Sequence, residues 1–137
     1  MSAVLMLDTN AVSALVKGQA DSLSKILEQR PFCVSVITEA ELRFSLARRP
    51  VNADLRSIIE NLLLVTDIRS WNSACAERYG HLRAELEAVG RPLGPMDLLI
   101  ATHVLAEDCT LVSADRAFAH VPGLRLLNWT AAPANLK

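Results

Sequence analysis

Lysine is scarce in this chain, confined to Lys17, Lys25 and Lys137, and the formal net charge is only −1. Proteins that coat nucleic acid through bulk positive charge are thereby excluded, and any contact with phosphate must be local. Cysteine is limited to Cys33, Cys75 and Cys109, each in an apolar setting and none in a Cys-x-x-Cys pair, so the spacing argues for buried free thiols rather than a zinc or redox site. The three histidines, His81, His103 and His120, show no metal-ligand spacing. His-Glu-x-x-His is absent, as are a P-loop and a nucleotide-binding glycine fingerprint. No uninterrupted apolar run is long enough for a membrane helix. Asp8 cuts short the N-terminal apolar run, so a secretory leader is not expected and cytoplasmic residence is.

What is abundant is core material. The 137 residues are 51% apolar, and a chain of this size folds as one domain that buries roughly two-thirds of the surface its unfolded form exposes. A single domain over 1–137 is expected, with its core from about residue 3 to 129 and a short polar tail over 130–137. The surplus of apolar residues leaves room for a self-contact or a partner.

Ala3-Val4-Leu5-Met6-Leu7 reads as a short buried strand, and Asp8-Thr9-Asn10 supplies helix-capping types ahead of Ala11 to Val16. Lys17-Gly18 ends that helix; Asp21 or Ser22 can cap a second through Gln29, and a second strand runs from Phe32 to Val36. Thr38-Glu39-Ala40-Glu41 has capping-box spacing, so the third helix is expected from Thr38 to about Arg48, before Pro50. A fourth starts near Asn52, its Leu55, Ile58, Ile59, Leu62 and Leu63 giving one wide apolar face. A short strand around Leu64 to Thr66 follows, then a long helix capped by Ser70 and stopped by Gly90. Pro95 suits the first position of a helix through Ala106 that is apolar nearly all round and so central. Thr110 to Ser113 and Leu124 to Leu127 complete the strands. Strands alternating with helices, each strand continuously apolar, indicate an α/β fold with a parallel sheet covered on both faces.

Four acids sit where strands end or helices begin: Asp8, Glu41, Asp97 and Asp115. In open α/β sheets ligands bind at the carboxyl ends of the strands, where Asp8 and Asp115 fall and where Glu41 should face. Two helices separate the third and fourth strands, so periodicity does not fix which rim Asp97 occupies. Two carboxylates about 4 Å apart repel by about 4 kcal/mol at an effective dielectric near 20. Four together therefore need cations or protons. Divalent ions prefer such oxygen ligands and lower the pKa of a bound water that can attack phosphorus. Two of them would bring the formal charge to about +3 and turn the site attractive to phosphate. Each acid also has a simpler use: Asp8 as a helix cap, Glu41 in a capping box, Asp97 against a helix dipole and Asp115 in a turn.

The ordered blocks Leu7-Asp8-Thr9-Asn10, Ser35-Val36-Ile37-Thr38-Glu39-Ala40-Glu41-Leu42, Gly90-Arg91-Pro92-Leu93-Gly94-Pro95-Met96-Asp97-Leu98-Leu99-Ile100-Ala101, Leu111-Val112-Ser113-Ala114-Asp115-Arg116-Ala117-Phe118 and the closing Val121 to Trp129 resemble the PIN-domain family, and within it the VapC-type toxins. The resemblance implies a three-layer α/β/α fold with about five mainly parallel strands. It implies a toxin with Mg2+- or Mn2+-dependent endoribonuclease activity, inhibited by a cognate VapB-type antitoxin, and a homodimer that joins a toxin–antitoxin hetero-oligomer and meets operator DNA only through the antitoxin. Asp8, Glu41, Asp97 and Asp115 match the family's metal-binding acids, with Thr9, Asn10 and Ser113 at polar positions beside them. Ser113 stands where Thr is commoner, and Phe44-Ser45 replaces an aromatic-Gly pair.

In-line hydrolysis at such a centre would leave a 5′-phosphate and a 3′-hydroxyl. Arg48, Arg49, Arg91 and Arg116 are candidates for RNA phosphate contacts, and with only six aromatics shape and backbone recognition outweighs base stacking. Transfer RNA, cut in its anticodon region, is the first expectation by resemblance. Paired helices in such toxins form the antitoxin groove, which here would involve Leu55, Ile58, Ile59 and Leu62. The competing class is a non-catalytic receiver-like signalling or binding module holding a metal ion in an acidic pocket. That class wants further acids after the first strand, which this chain lacks, and a Lys late in the chain, whereas Lys occurs only at Lys17, Lys25 and Lys137. A haloacid-dehalogenase-type phosphatase would need Asp where Asn10 stands.

Overall fold

A computed structural model describes residues 3–48, 50 and 52–130. Strands β1 (Leu5–Leu7), β2 (Phe32–Ser35), β3 (Asp67–Arg69), β4 (Thr110–Val112) and β5 (Arg125–Leu127) form one sheet in the order β3-β2-β1-β4-β5, every pairing parallel. The helices are α1 (Thr9–Val16), α2 (Asp21–Leu27), α3 (Val36–Arg48), α4 (Ala53–Val65), α5 (Ser73–Ala88) and α6 (Pro95–Ala106), with a 3-10 segment at Arg116–His120.

Alternation along the short central strands explains the layers. Leu5 and Leu7 of β1 face one core with Val34, Val112 and the apolar residues of α1 to α4. Met6 faces the other with Cys33, Leu111 and residues of α5 and α6. Burying each such Leu contributes roughly 2 kcal/mol, so the sheet is held from both sides. The expected three-layer α/β/α arrangement is what the chain forms. Cys33, Cys75 and Cys109 are buried free thiols, as their settings suggest. Among the described residues no helix is long and apolar enough to cross a membrane.

Several boundaries differ from expectation, each for a local reason. α3 begins at Val36, not Thr38, because the Ser35 hydroxyl accepts from the Ile37 N–H at 2.9 Å and turns the chain into a helix directly at the strand end. The capping box therefore does not form; Thr38 is buried, its hydroxyl without a hydrogen-bond partner. α4 keeps Leu64 and Val65, so β3 starts at Asp67 rather than around Leu64. Asn52 caps α4 through the Leu55 N–H at 2.7 Å, as its position suggests. α5 is capped by Asn72, whose side chain accepts from the Cys75 N–H, rather than by Ser70. Neither Asp21 nor Ser22 caps α2; its N-cap is Ala20, without a side-chain bond. Pro95 takes the first turn of α6, as expected, and Leu98, Ile100, Ala101, Thr102, His103 and Val104 are all buried.

Candidate metal centre

The chain leaves β1 and runs to β2 and β3 on one side, then returns to place β4 on the other. The gap between the carboxyl ends of β1 and β4 is therefore the switch point at which open α/β sheets bind ligands. Asp8 is the first residue past β1. Its N–H donates to the Val112 carbonyl at 3.1 Å, and its Oδ1 accepts from the Ala11 N–H at 2.8 Å, capping α1. Across the gap Asp115 follows β4, caps the 3-10 segment by accepting from the Ala117 N–H at 2.9 Å, and donates its own N–H to the Ser113 hydroxyl at 3.0 Å.

Asp97 reaches the same rim through topology. A helix that leads into a parallel strand must start at the rim where that strand ends, and α6 precedes β4 directly. Asp97 occupies its first turn. Glu41 lies in the second turn of α3 and accepts from the Thr9 hydroxyl on the neighbouring α1.

Charge links the four acids in pairs, Asp8 with Asp97 and Asp115, and Asp97 with Asp115 and Glu41. Among the described residues their carboxylate oxygens are not drawn together within metal-ligand reach of one another as Cys75, His103 and Glu107 are. Burial pushes the Asp8 carboxyl above the usual range, the charges of Asp97 and Asp115 push the same way, and hydrogen bonds from Ser113 and the Ala11 N–H oppose them. Burial also raises Asp97, followed by the charges of Asp115 and Glu41. Among the described residues the ion pairs are Arg43–Glu39, Arg69–Asp67, Arg69–Glu107, Arg83–Glu87 and Arg125–Asp108, none involving these acids. An all-carboxylate cluster without a protein cation matches what hard divalent ions such as Mg2+ and Mn2+ take as ligands.

The flanking positions are less uniform. Thr9 and Ser113 contact the acids, whereas Asn10 is exposed on α1. Arg116 is exposed beside Asp115, and Arg91 donates to Nδ1 of His120. The Arg48 guanidinium lies 5.2 Å from the ring centre of Phe44, which is 61% exposed. Glu41, Phe44 and Arg48 share one stripe of α3 by their spacing. Arg49 lies outside the described residues. The four apolar groove candidates divide: Ile59 is buried and Leu55 packs on the core, while Ile58 and Leu62 line an apolar groove with Leu15, Val16, Asn61 and Val65.

Sequence spacing missed one further polar group. Cys75, His103 and Glu107 converge within metal-ligand reach, yet the set is already satisfied. His103 Nε2 faces the Ser70 carbonyl at 3.1 Å and must carry the proton; Nδ1 then accepts from the Ser35 hydroxyl at 2.7 Å. Glu107 is paired with Arg69 at 2.9 Å. No lone pair of the imidazole is left for a metal. Only the spacing of His103 on α6 and Glu107 just past its end, one turn apart, hinted at this group.

With this geometry in place, the relationships of the chain are clear. The PIN domain family model matches residues 5–124, and the chain belongs to the PIN-domain family. Relatives within that family include VapC ribonucleases. It is 33% identical to ribonuclease VapC2 of Rickettsia felis, over 92% of this chain and 98% of that protein. It is 32% identical to the tRNA(fMet)-specific endonuclease VapC of Shigella flexneri, over 91% and 97%. The crystal structure of VapBC2 from Rickettsia felis bound to a promoter DNA fragment superposes with a TM-score of 0.84 at 33% identity, covering 92% of this chain and 98% of that one. DNA-bound VapBC from Salmonella typhimurium gives 0.85 at 26% identity, over 94% and 99%.

Proposed function

We propose that this protein is the toxin of a type II toxin–antitoxin pair, an endoribonuclease dependent on Mg2+ or Mn2+ and restrained by a VapB-type antitoxin in the cytoplasm. What supports the reading is that Asp8, Asp97 and Asp115 lie around the β1–β4 switch point with Glu41 acting on Asp97 by charge, none of the four in an ion pair among the described residues. Similarity to VapC ribonucleases along nearly the whole chain supports the same conclusion. A receiver-like signalling role has no support from the family match.

Asp8 and Asp97, with Glu41 and Asp115, would hold the metal. The bound ion supplies charge neutralisation, activation of water and stabilisation of the leaving oxygen. The chain's own contribution is placement. The Ala11 and Ala117 N–H groups fix Asp8 and Asp115, Thr9 fixes Glu41, and the start of α6 fixes Asp97. Arg48, over the Phe44 ring on the Glu41 stripe, and the exposed Arg116, next to Asp115, would contact RNA phosphates.

Transfer RNA is the favoured substrate, because a relative of similar length is a tRNA(fMet)-specific endonuclease. The groove lined by Leu15, Ile58, Leu62 and Val65 suits an apolar antitoxin segment, and related toxins are solved as VapBC complexes. A homodimer within that complex, with operator DNA reached through the antitoxin, completes the assembly.

Purified protein incubated with transfer RNA and Mg2+ or Mn2+ tests the reading. Cleavage is expected, and chelator or Asp8→Asn should abolish it. Cutting that survives both treatments would overturn the metal mechanism.

A further inference from the structure

We propose that His103 is a positioning residue for the carboxylate cluster, acting through Ser35 to lock the helix that carries Asp97 against the helix that carries Glu41. The inference rests on the metal-centre reading above. His103 and Ser35 are both wholly buried. The imidazole sits on α6, with the edge of Trp71 against it at 5.5 Å between ring centres and an interplanar angle of 65°.

Its polar atoms leave a single consistent arrangement. The Ser70 carbonyl can only accept, so Nε2 carries the hydrogen and Nδ1 is the acceptor. The Ser35 hydroxyl therefore donates to Nδ1 at 2.7 Å while accepting from the Ile37 N–H at 2.9 Å. That N–H belongs to the first turn of α3, one turn before Glu41. The chain of bonds runs from α6 through His103 and Ser35 into the backbone that starts α3. α3 and α6 also pack directly on each other. A shift of either helix would change the separation of Asp97 and Glu41, whose charges already act on one another.

A purely structural histidine would tolerate any substitution that preserves folding. A positioning role separates the two ring nitrogens. In His103→Asn the amide oxygen can take the place of Nδ1 and keep the Ser35 bond; in His103→Gln the amide N–H can keep the Ser70 bond and lose Ser35.

The test is Mn2+ titration by calorimetry without RNA, on wild type, Ser35→Ala, His103→Gln, His103→Asn, the Ser35→Ala/His103→Gln double variant and Asp8→Asn. Ser35→Ala and His103→Gln should each weaken Mn2+ binding about tenfold, the lower end for groups that orient metal ligands. The double variant should bind no worse than either single one, and His103→Asn should stay close to wild type. Ser35→Ala removes one oxygen, so it decides the question should His103→Gln not fold. Unchanged affinity in folded Ser35→Ala, or an equal loss in His103→Asn and His103→Gln, overturns the inference while leaving the metal centre intact. Wild type that fails to bind Mn2+, or an Asp8→Asn variant that binds it equally well, overturns both.

Discussion

The hydroxyl of Thr9 donates to Oε1 of Glu41, joining the first residue of α1 to the second turn of α3 across 32 positions of sequence. The bond aims one carboxylate oxygen at α1 and so fixes the rotamer from which the other can serve a metal. Thr9→Val keeps the branched shape and removes the donor. Steady-state cleavage of RNA by that variant should show about a tenfold loss in kcat/KM, typical of groups that orient metal ligands, and a higher Mn2+ concentration for half-maximal rate. Thermal unfolding should move by no more than about 1 kcal/mol, the worth of one hydrogen bond.

Asp8→Asn should separate function from stability. Burial and two neighbouring negative charges raise the Asp8 carboxyl, so the surroundings of the metal-free site disfavour its charged form. Asn keeps the cap on α1, since it is among the best N-cap residues. The variant should lose cleavage yet unfold, without metal at pH 8, more stably than wild type, because the amide removes the buried charge that the site disfavours. Differential scanning calorimetry in chelator reads the outcome; a destabilised Asp8→Asn would contradict this account of the site.

The same raised carboxyls set the pH dependence. Asp8 and Asp97 bind protons more tightly folded than unfolded. Their contribution to stability is fully present below the ordinary carboxylate range and is lost as pH rises through the raised folded values. Metal competes with those protons, so its binding should strengthen over the same interval. Mn2+ at a hundredfold excess over its dissociation constant should stabilise the protein by about 2.7 kcal/mol near pH 8, and by clearly less near pH 5. Melting curves with and without Mn2+ across that range measure it; an effect constant down to pH 4 would show that the two acids are not the ligands.

The centre of the sheet was readable because β1, β2 and β4 are short, mostly apolar and separated by helices, which favours parallel pairing with both faces covered, whereas the edge strand β3, Asp67-Ile68-Arg69, lacks that signal and was expected too early. Asp8 was readable for the same reason, being the first polar residue after such a strand. Helix starts were harder. Thr38 and Glu41 have capping-box spacing, but Ser35 captures the Ile37 N–H first and starts α3 two residues earlier. That competition between neighbouring hydroxyls is decided by where β2 ends, which spacing does not encode. It also removes the capping explanation for Glu41 and leaves its carboxylate to Thr9. The rim occupied by Asp97 was open in periodicity, though the direct step from α6 into β4 fixes it once that strand is known to be parallel. The His103 network joins Ser35 and Ser70 to a helix many residues later, and no local pattern reports contacts of that range.

The exposed groove between α1 and α4 should be separable from the cutting site. Ile58 and Val65 line it and are 47% and 83% exposed, whereas Ile59, on the same helix, is buried in the core. A charge at Ile59 would unfold the protein and report nothing about partners. Ile58→Glu places a charge at the groove wall in a residue that favours helix, and Val65→Lys puts a cation at the end of α4, where the helix dipole welcomes it. Both substitutions fall on surface positions, so folding should change by no more than about 0.5 kcal/mol. Co-expression with the cognate antitoxin should show lost co-purification, with RNA cleavage by the isolated variants unchanged because the acids at the β1–β4 switch point are untouched. Loss of cleavage in parallel with antitoxin binding would place the two surfaces in one site, and full retention of the antitoxin would move its docking surface elsewhere.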